Sequence, residues 1–266
     1  MRRQIISAIV LCLGLTGPGC STNPATGKKQ LDWPSPRREI ALGNQAAPRF
    51  TKEYGGEVPS KPILQYVRGI GHRLAEVSER PNLPWQFHVV DSGVINAFAL
   101  PGGKVFISRG LLAKLDNEAQ LAGVLGHEVG HVTAKHINDR MAHALGIQLL
   151  AIGLGIAGEA TDEDVLRILG VGTSVGGTVY LLSFSRDQES EADKLGLRYM
   201  TRLGYNPVAQ VQVMNVLKQE AAGGRPPEFL STHPYPETRI ERLQRLVQNK
   251  YPNHDDPAAY TFNFDS

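Results

Sequence analysis

The sequence predicts an α+β domain, mainly helical, with a small β-sheet. Three observations predict it. Apolar residues recur at helical spacing along several stretches, short strand-like runs gather between residues 85 and 108, and mainly helical stretches follow those runs. The chain has 266 residues, 41% hydrophobic and 20% charged, which is enough for one sizeable core. Its formal net charge is only +2. With no basic run or aromatic–basic stripe, nucleic acid is not an expected partner.

The N-terminus reads as a secretory leader. Met1-Arg2-Arg3 is a short positive segment, and Ile5 to Leu15 is an apolar run too short to remain as a membrane span. Residues 1–19 are therefore expected to be a signal peptide. Of the two cysteines, Cys12 lies within it and Cys20 directly after it. A lone thiol at a mature N-terminus is the pattern of a lipoprotein, although Gly17 and Pro18 depart from the usual residues there. Lipidation of Cys20 would anchor the chain in a membrane. Ser21 in the next position fits sorting to the bacterial outer membrane, on its periplasmic side. Residues 20–36 are polar and proline-rich and read as a tether, and 37–251 as the folded domain. Residues 252–266 then form a tail.

Within the domain, a helix is expected from residue 37. Ser60 is placed to cap a second helix, with Pro62 in its first turn. Ile63, Val67, Ile70, Leu74 and Val77 supply its apolar face. Trp85 to Val90 reads as a strand. Residues 95–100 and 104–108 read as a strand pair turning at Pro101-Gly102-Gly103. Asp116 is placed to cap a helix running to about Asn138. The apolar stretches 145–158 and 165–182 are too interrupted to be spans of ~20 apolar residues and read as core helices, the alternative being a hairpin that touches lipid or covers the active-site cleft. Asp187 is placed to cap a last well-defined helix that Gly204 ends.

The chemistry lies at residues 126–136, GHEVGHVTAKH. Residues four apart share a helix face, so His127 and His131 can offer two imidazoles to one ion. Glu128, beside the first, can reach a water on that ion. This is the HExxH arrangement of zinc peptidases, with glutamate as general base. A third ligand six residues after His131 is excluded, because that residue is Ile137 and His136 falls one short. A distant acid is the alternative, giving a His₂Glu site for one Zn²⁺ per chain. The helix at 187–204 offers Glu189, Glu191 and Asp193. Glu189 and Asp193 share a face, and Glu191 points about 200° away from Glu189. Glu189 is therefore expected to bind the metal and Asp193 to hold a ligand histidine by its second nitrogen. Glu191 is expected to be a solvated surface charge.

Three stretches in this order, GHEVGHVTAKH, SRDQESEADKLG (185–196) and STHPYPETRIERL (231–243), resemble the HtpX-type and CaaX-prenyl-protease-type gluzincins. Periplasmic lipoprotein members of that family are the nearest in pattern, and NAFALPGGKVFISRGLL (96–112) fits it as well. The resemblance covers roughly residues 37–250. It implies a zincin-like metallopeptidase domain: a zinc endopeptidase of the bacterial envelope that cleaves misfolded or unassembled outer-membrane and periplasmic proteins. A zinc-containing periplasmic chaperone with latent protease activity is the alternative. Some such members carry a C-terminal helical repeat array, which is not expected here. The resemblance also singles out His233 and Arg239. His233 would approach the zinc, either as a switchable fourth ligand or as an oxyanion donor, and Arg239 would help in that role. The substrate chain is expected to lie extended beside residues 95–100, near Asn96 and Ala99.

Overall fold

The computed structural model describes residues 20–151, 183–223, 227–234 and 236–251, together with Asn253, Asp256 and Tyr260. The expected signal peptide, the stretch at 165–182 and residues 152–158 of the one at 145–158 lie outside the described residues. So does most of the expected tail. Among the described residues, no helix is long and apolar enough to cross a membrane.

The architecture is α+β and mainly helical. Two short strands, β1 (Cys20–Thr22) and β2 (Lys29–Leu31), pair antiparallel as a hairpin. Helices α1 (Pro36–Glu53) and α2 (Lys61–Glu76) follow. Strands β3 (Gln86–Val90), β4 (Ala97–Leu100) and β5 (Lys104–Ser108) form a sheet of order β3-β5-β4. β3 runs parallel to β5, and β4 antiparallel. The expected turn at 101–103 is present. Gly102 and Gly103 have φ of 70° and 81°, a region costly for side-chain-bearing residues. A one-turn α3 (Arg109–Leu112) leads into α4 (Glu118–Thr133) and α5 (His136–Ala151). The C-terminal part holds α6 (Arg186–Arg202), α7 (Val208–Ala222), α8 (Glu228–Thr232) and α9 (Pro236–Lys250).

Several local expectations are corrected. Residues 20–31, read as tether, form a docked hairpin: the buried Asn23 donates from Nδ2 to Thr133 O at 3.1 Å. Ser60 stands at the N-cap of α2, but its side chain makes no capping bond. Ile63 is exposed, while Val67, Ile70 and Leu74 are buried. Asn117, one residue after Asp116, caps α4 by accepting from Gln120 N at 3.0 Å. Ser185 rather than Asp187 caps α6, in a reciprocal capping box with Gln188. Helix α4 ends at Thr133 rather than running to Asn138. Lys135 takes a φ of 58°, which breaks the helix and restarts it as α5.

Helix α4 is the central element. It packs on α2, α7, β4 and, most extensively, α6. Small residues set the α4–α6 spacing. A Cβ on Gly196 would lie 2.9 Å from His127 N, and one on Gly130 would lie 2.9 Å from Ala192 O. The two backbones are therefore nearly in contact. That approach puts the start of α6, with Glu189, opposite the C-terminal half of α4.

Gly196→Ala should force the two helices apart and cost about 1–3 kcal/mol, the usual penalty for overpacking a close-packed core. Urea denaturation of the variant beside the wild type checks this. An unchanged midpoint would show that the contact yields without strain.

Candidate metal centre

The C-terminal half of α4 presents His127, Glu128 and His131, all buried. Glu189 comes from the first turn of α6, and His233 from the C-terminal cap of α8. One nitrogen or oxygen from each of His127, His131, Glu189 and His233 lies within 4.8 Å of the others. His127 Nε2 and His131 Nε2 are 3.0 Å apart. Glu189 Oε2 is 3.4 Å from His127 Nε2, and its Oε1 is 3.4 Å from His131 Nε2. His233 Nδ1 is 3.2 Å from His127 Nε2 and 2.9 Å from Glu189 Oε1.

These separations test the fit to an ion. Nitrogen and oxygen donors ~2.0–2.1 Å from a tetrahedral zinc stand about 3.3–3.4 Å apart. Five of the donor pairs, 2.9–3.4 Å apart, come close to that size, and one donor from each of the four residues lies within 4.8 Å of the others. Two imidazoles and a carboxylate are also a zinc donor set. The cluster can hold one metal ion, consistent with a single zinc.

A second layer of buried groups surrounds the first. Asp193, one turn after Glu189, lies 3.1 Å from His127 Nδ1. Arg239, from α9, grips Asp193 through Nε at 3.0 Å and Nη2 at 2.6 Å. Its Nη1 is 2.7 Å from Glu189 Oε2. Arg239 thus lies between the two acids, behind the cluster. Burial pushes Glu189 upward, but Arg239 and His233 outweigh it and hold the carboxyl well below its usual range. Asp193 is likewise lowered, burial being outweighed by Arg239 and His127.

Glu128 differs. Both its carboxylate oxygens are buried and have no hydrogen-bond partner among the described residues. The facing group is His233, whose Nε2 is 3.5 Å from Glu128 Oε1. Burial pushes the Glu128 carboxyl up, against the pull of His233 and His127. A raised carboxyl beside the ligand cluster suits an acid that must both take and return a proton.

Aromatic rings wall the centre. Phe184 stacks on His131 with ring centroids 3.8 Å apart, and Phe229 stacks on His233 at 4.3 Å. Asn96 and Ala99 are both buried. Ala99 is on β4, an edge strand of the sheet. Asn96 Nδ2 donates to Glu228 Oε1 at 3.0 Å, and Phe229 N donates to Ile95 O at 3.2 Å. Helix α8 is thereby joined to the approach to β4. Cys20 is exposed at the start of β1.

Three residues near the centre were not legible. His136 was set aside by its spacing, yet it is buried with Nδ1 3.0 Å from His131 Nδ1. The helix break at Lys135 turns it back, and nothing in a lysine signals a left-handed residue. Glu191, expected to be solvated, instead pairs through Oε2 with His136 Nε2 at 3.1 Å and through Oε1 with Lys28. Phe184 carries no sequence signal beyond being apolar.

Comparison with known proteins gives one consistent answer. The sequence pattern of peptidase family M48 matches residues 64–247. The beta-barrel assembly-enhancing protease of Escherichia coli (strain K12) is 30% identical over 266 residues, covering 95% of this chain and 54% of the relative. The mitochondrial metalloendopeptidase OMA1 of Schizosaccharomyces pombe is 31% identical over 244 residues, covering 89% of this chain and 69% of the relative. The chain spans about half the length of the bacterial relatives it matches.

Replacing Arg239 with leucine would leave Glu189 and Asp193 buried without their cation. A loss of about 3–5 kcal/mol in unfolding free energy is expected, as for other buried pairs deprived of one partner. Chemical denaturation of Arg239→Leu measures it. A loss under about 1 kcal/mol, the scale of an exposed pair, would mean the acids find other compensation.

Proposed function

The chain belongs to peptidase family M48, and we propose that it is a zinc-dependent endopeptidase of the bacterial envelope. The observation that carries this reading is the convergence of His127, His131 and Glu189 beside a buried Glu128 that has no hydrogen-bond partner among the described residues. His127, His131 and Glu189 hold the metal. Bound there, zinc supplies Lewis acidity, acidifying water and polarising the scissile carbonyl. Glu128 accepts the proton of the attacking water on a carboxylate oxygen and returns it to the leaving amine. Asp193 keeps His127 in the tautomer whose Nδ1–H points away from the ion. Arg239 acts as a positioning residue, fixing both acids, rather than as the oxyanion partner that the family resemblance implied.

The substrate is an extended protein chain that adds to the edge of β4 near Asn96 and Ala99. The hydrogen bonds from Asn96 to Glu228 and from Phe229 to Ile95 support a resting state in which α8 covers the edge. His233, buried with Nδ1 among the ligand atoms, supports the same reading. It would serve as a fourth ligand to a bound metal and faces Glu128, so the resting enzyme is latent until the α8 segment moves. The name of the bacterial relatives, beta-barrel assembly-enhancing protease, supports proteins that assemble as β-barrels as substrates. The signal-like N-terminus and Cys20 support a lipid anchor on the periplasmic face of the outer membrane.

Glu128→Gln should retain zinc and lose about 10²–10⁴-fold in turnover of casein or a peptide substrate. Wild-type turnover in that variant would refute the mechanism. Glu189→Ala should lose both zinc and activity, read by metal analysis and the same assay. His233→Ala should cleave casein several-fold faster than wild type. A fall instead would make His233 a transition-state donor and remove the latent state.

A further inference from the structure

The two proposed ligand histidines are supported in different ways. At its Nδ1, His127 meets a buried carboxylate directly, through Asp193. The Nδ1 of His131 does not. It faces the Nδ1 of another histidine, His136, at 3.0 Å. His136 in turn presents Nε2 to Glu191 Oε2 at 3.1 Å. Glu191 Oε1 pairs with Lys28, in the N-terminal hairpin.

Proton bookkeeping gives this chain a direction. A neutral imidazole that binds a metal through Nε2 carries its hydrogen on Nδ1. His131 must then donate from Nδ1 to His136 Nδ1. His136, accepting there, must carry its own hydrogen on Nε2 and donate it to Glu191. Every nitrogen between Lys28 and the ion is used once, with no surplus proton. The opposite tautomer of His136 would set two N–H groups against each other.

From this we propose that His136 and Glu191 are positioning residues for the metal centre. They lock His131 in its metal-binding tautomer and ring orientation, and Lys28 of the N-terminal hairpin pins the outer end. The hairpin is otherwise fixed beside α4 by Asn23 on Thr133 O and by Asp32, which lies 3.1 Å from Lys135 Nζ. The segment next to Cys20 is therefore part of the support of the metal site rather than a passive leash. This rests on His131 being a ligand, as proposed above.

The test is the zinc dissociation constant of the intact holoprotein, measured by competition with a chromogenic chelator. Thermal unfolding of each metal-free protein is followed in parallel. Carboxylates and other partners behind ligand histidines are typically worth 10–100-fold in metal affinity. His136→Phe should weaken zinc by about that factor. Glu191→Ala should weaken it at least several-fold, and Glu191→Gln, which still accepts from His136 Nε2, should restore most of the loss. Metal-free unfolding should be unchanged in the Glu191 variants. Zinc binding within twofold of wild type in both His136→Phe and Glu191→Ala would overturn the proposal. So would a loss of affinity that merely follows a loss of metal-free stability, or a Glu191→Gln no better than Glu191→Ala. If His136→Phe does not fold, the half-buried Glu191 pair of variants decides alone. Failure of the ligand reading itself looks different: the wild type would then bind no zinc, or His131→Ala would bind it as tightly.

Discussion

The near-contact of α4 and α6 is the constraint on which the centre depends. His127, Glu128 and His131 lie on one helix and Glu189 on another, more than fifty residues later. Their donors can share one ion only if the backbones approach more closely than ordinary side chains permit. Gly126, Gly130 and Gly196 allow it, and a Cβ on Gly196 would meet the backbone nitrogen of His127 itself. The packing contact and the metal contact are thus the same contact. A residue that widens the first also opens the second.

Such closeness has an electrostatic cost. Glu128, Glu189 and Asp193 are all buried, and burial pushes each carboxyl upward. Glu189 and Asp193 are offset by Arg239, itself buried and held by both. Glu128 has no such cation gripping it. The difference matches the proposed roles: Glu189 and Asp193, held below the usual carboxylate range, suit binding and orienting, while Glu128, pushed above it, suits exchanging a proton. Environment, not residue type, divides these carboxylates into roles.

Flanking elements extend the site in two directions. On one side α8 brings His233 into the cluster and ties itself to the residues leading into β4, so one short helix touches both. On the other, the N-terminal hairpin reaches the far side of His131 through Glu191 and His136. Segments remote in sequence, one near residue 28 and one near 233, converge on the same two histidines.

The sequence by itself determined the elements whose signal is local. Helical spacing put His127 and His131 on one face of α4. The same periodicity separated Glu189 and Asp193 from Glu191, and the paired glycines placed the β4–β5 turn. Periodicity and turn chemistry act within a few residues, so one dimension suffices to read them. Only the tertiary structure decided the rest. Glu191 points away from Glu189, as helical geometry requires, but a docked hairpin supplies Lys28 and a helix break supplies His136, so facing away did not mean facing water. Arg239 was visible by resemblance alone, and its place between two acids follows from where α9 packs. Burial and partnership depend on which distant segment comes to lie against a face, and no local pattern carries that information.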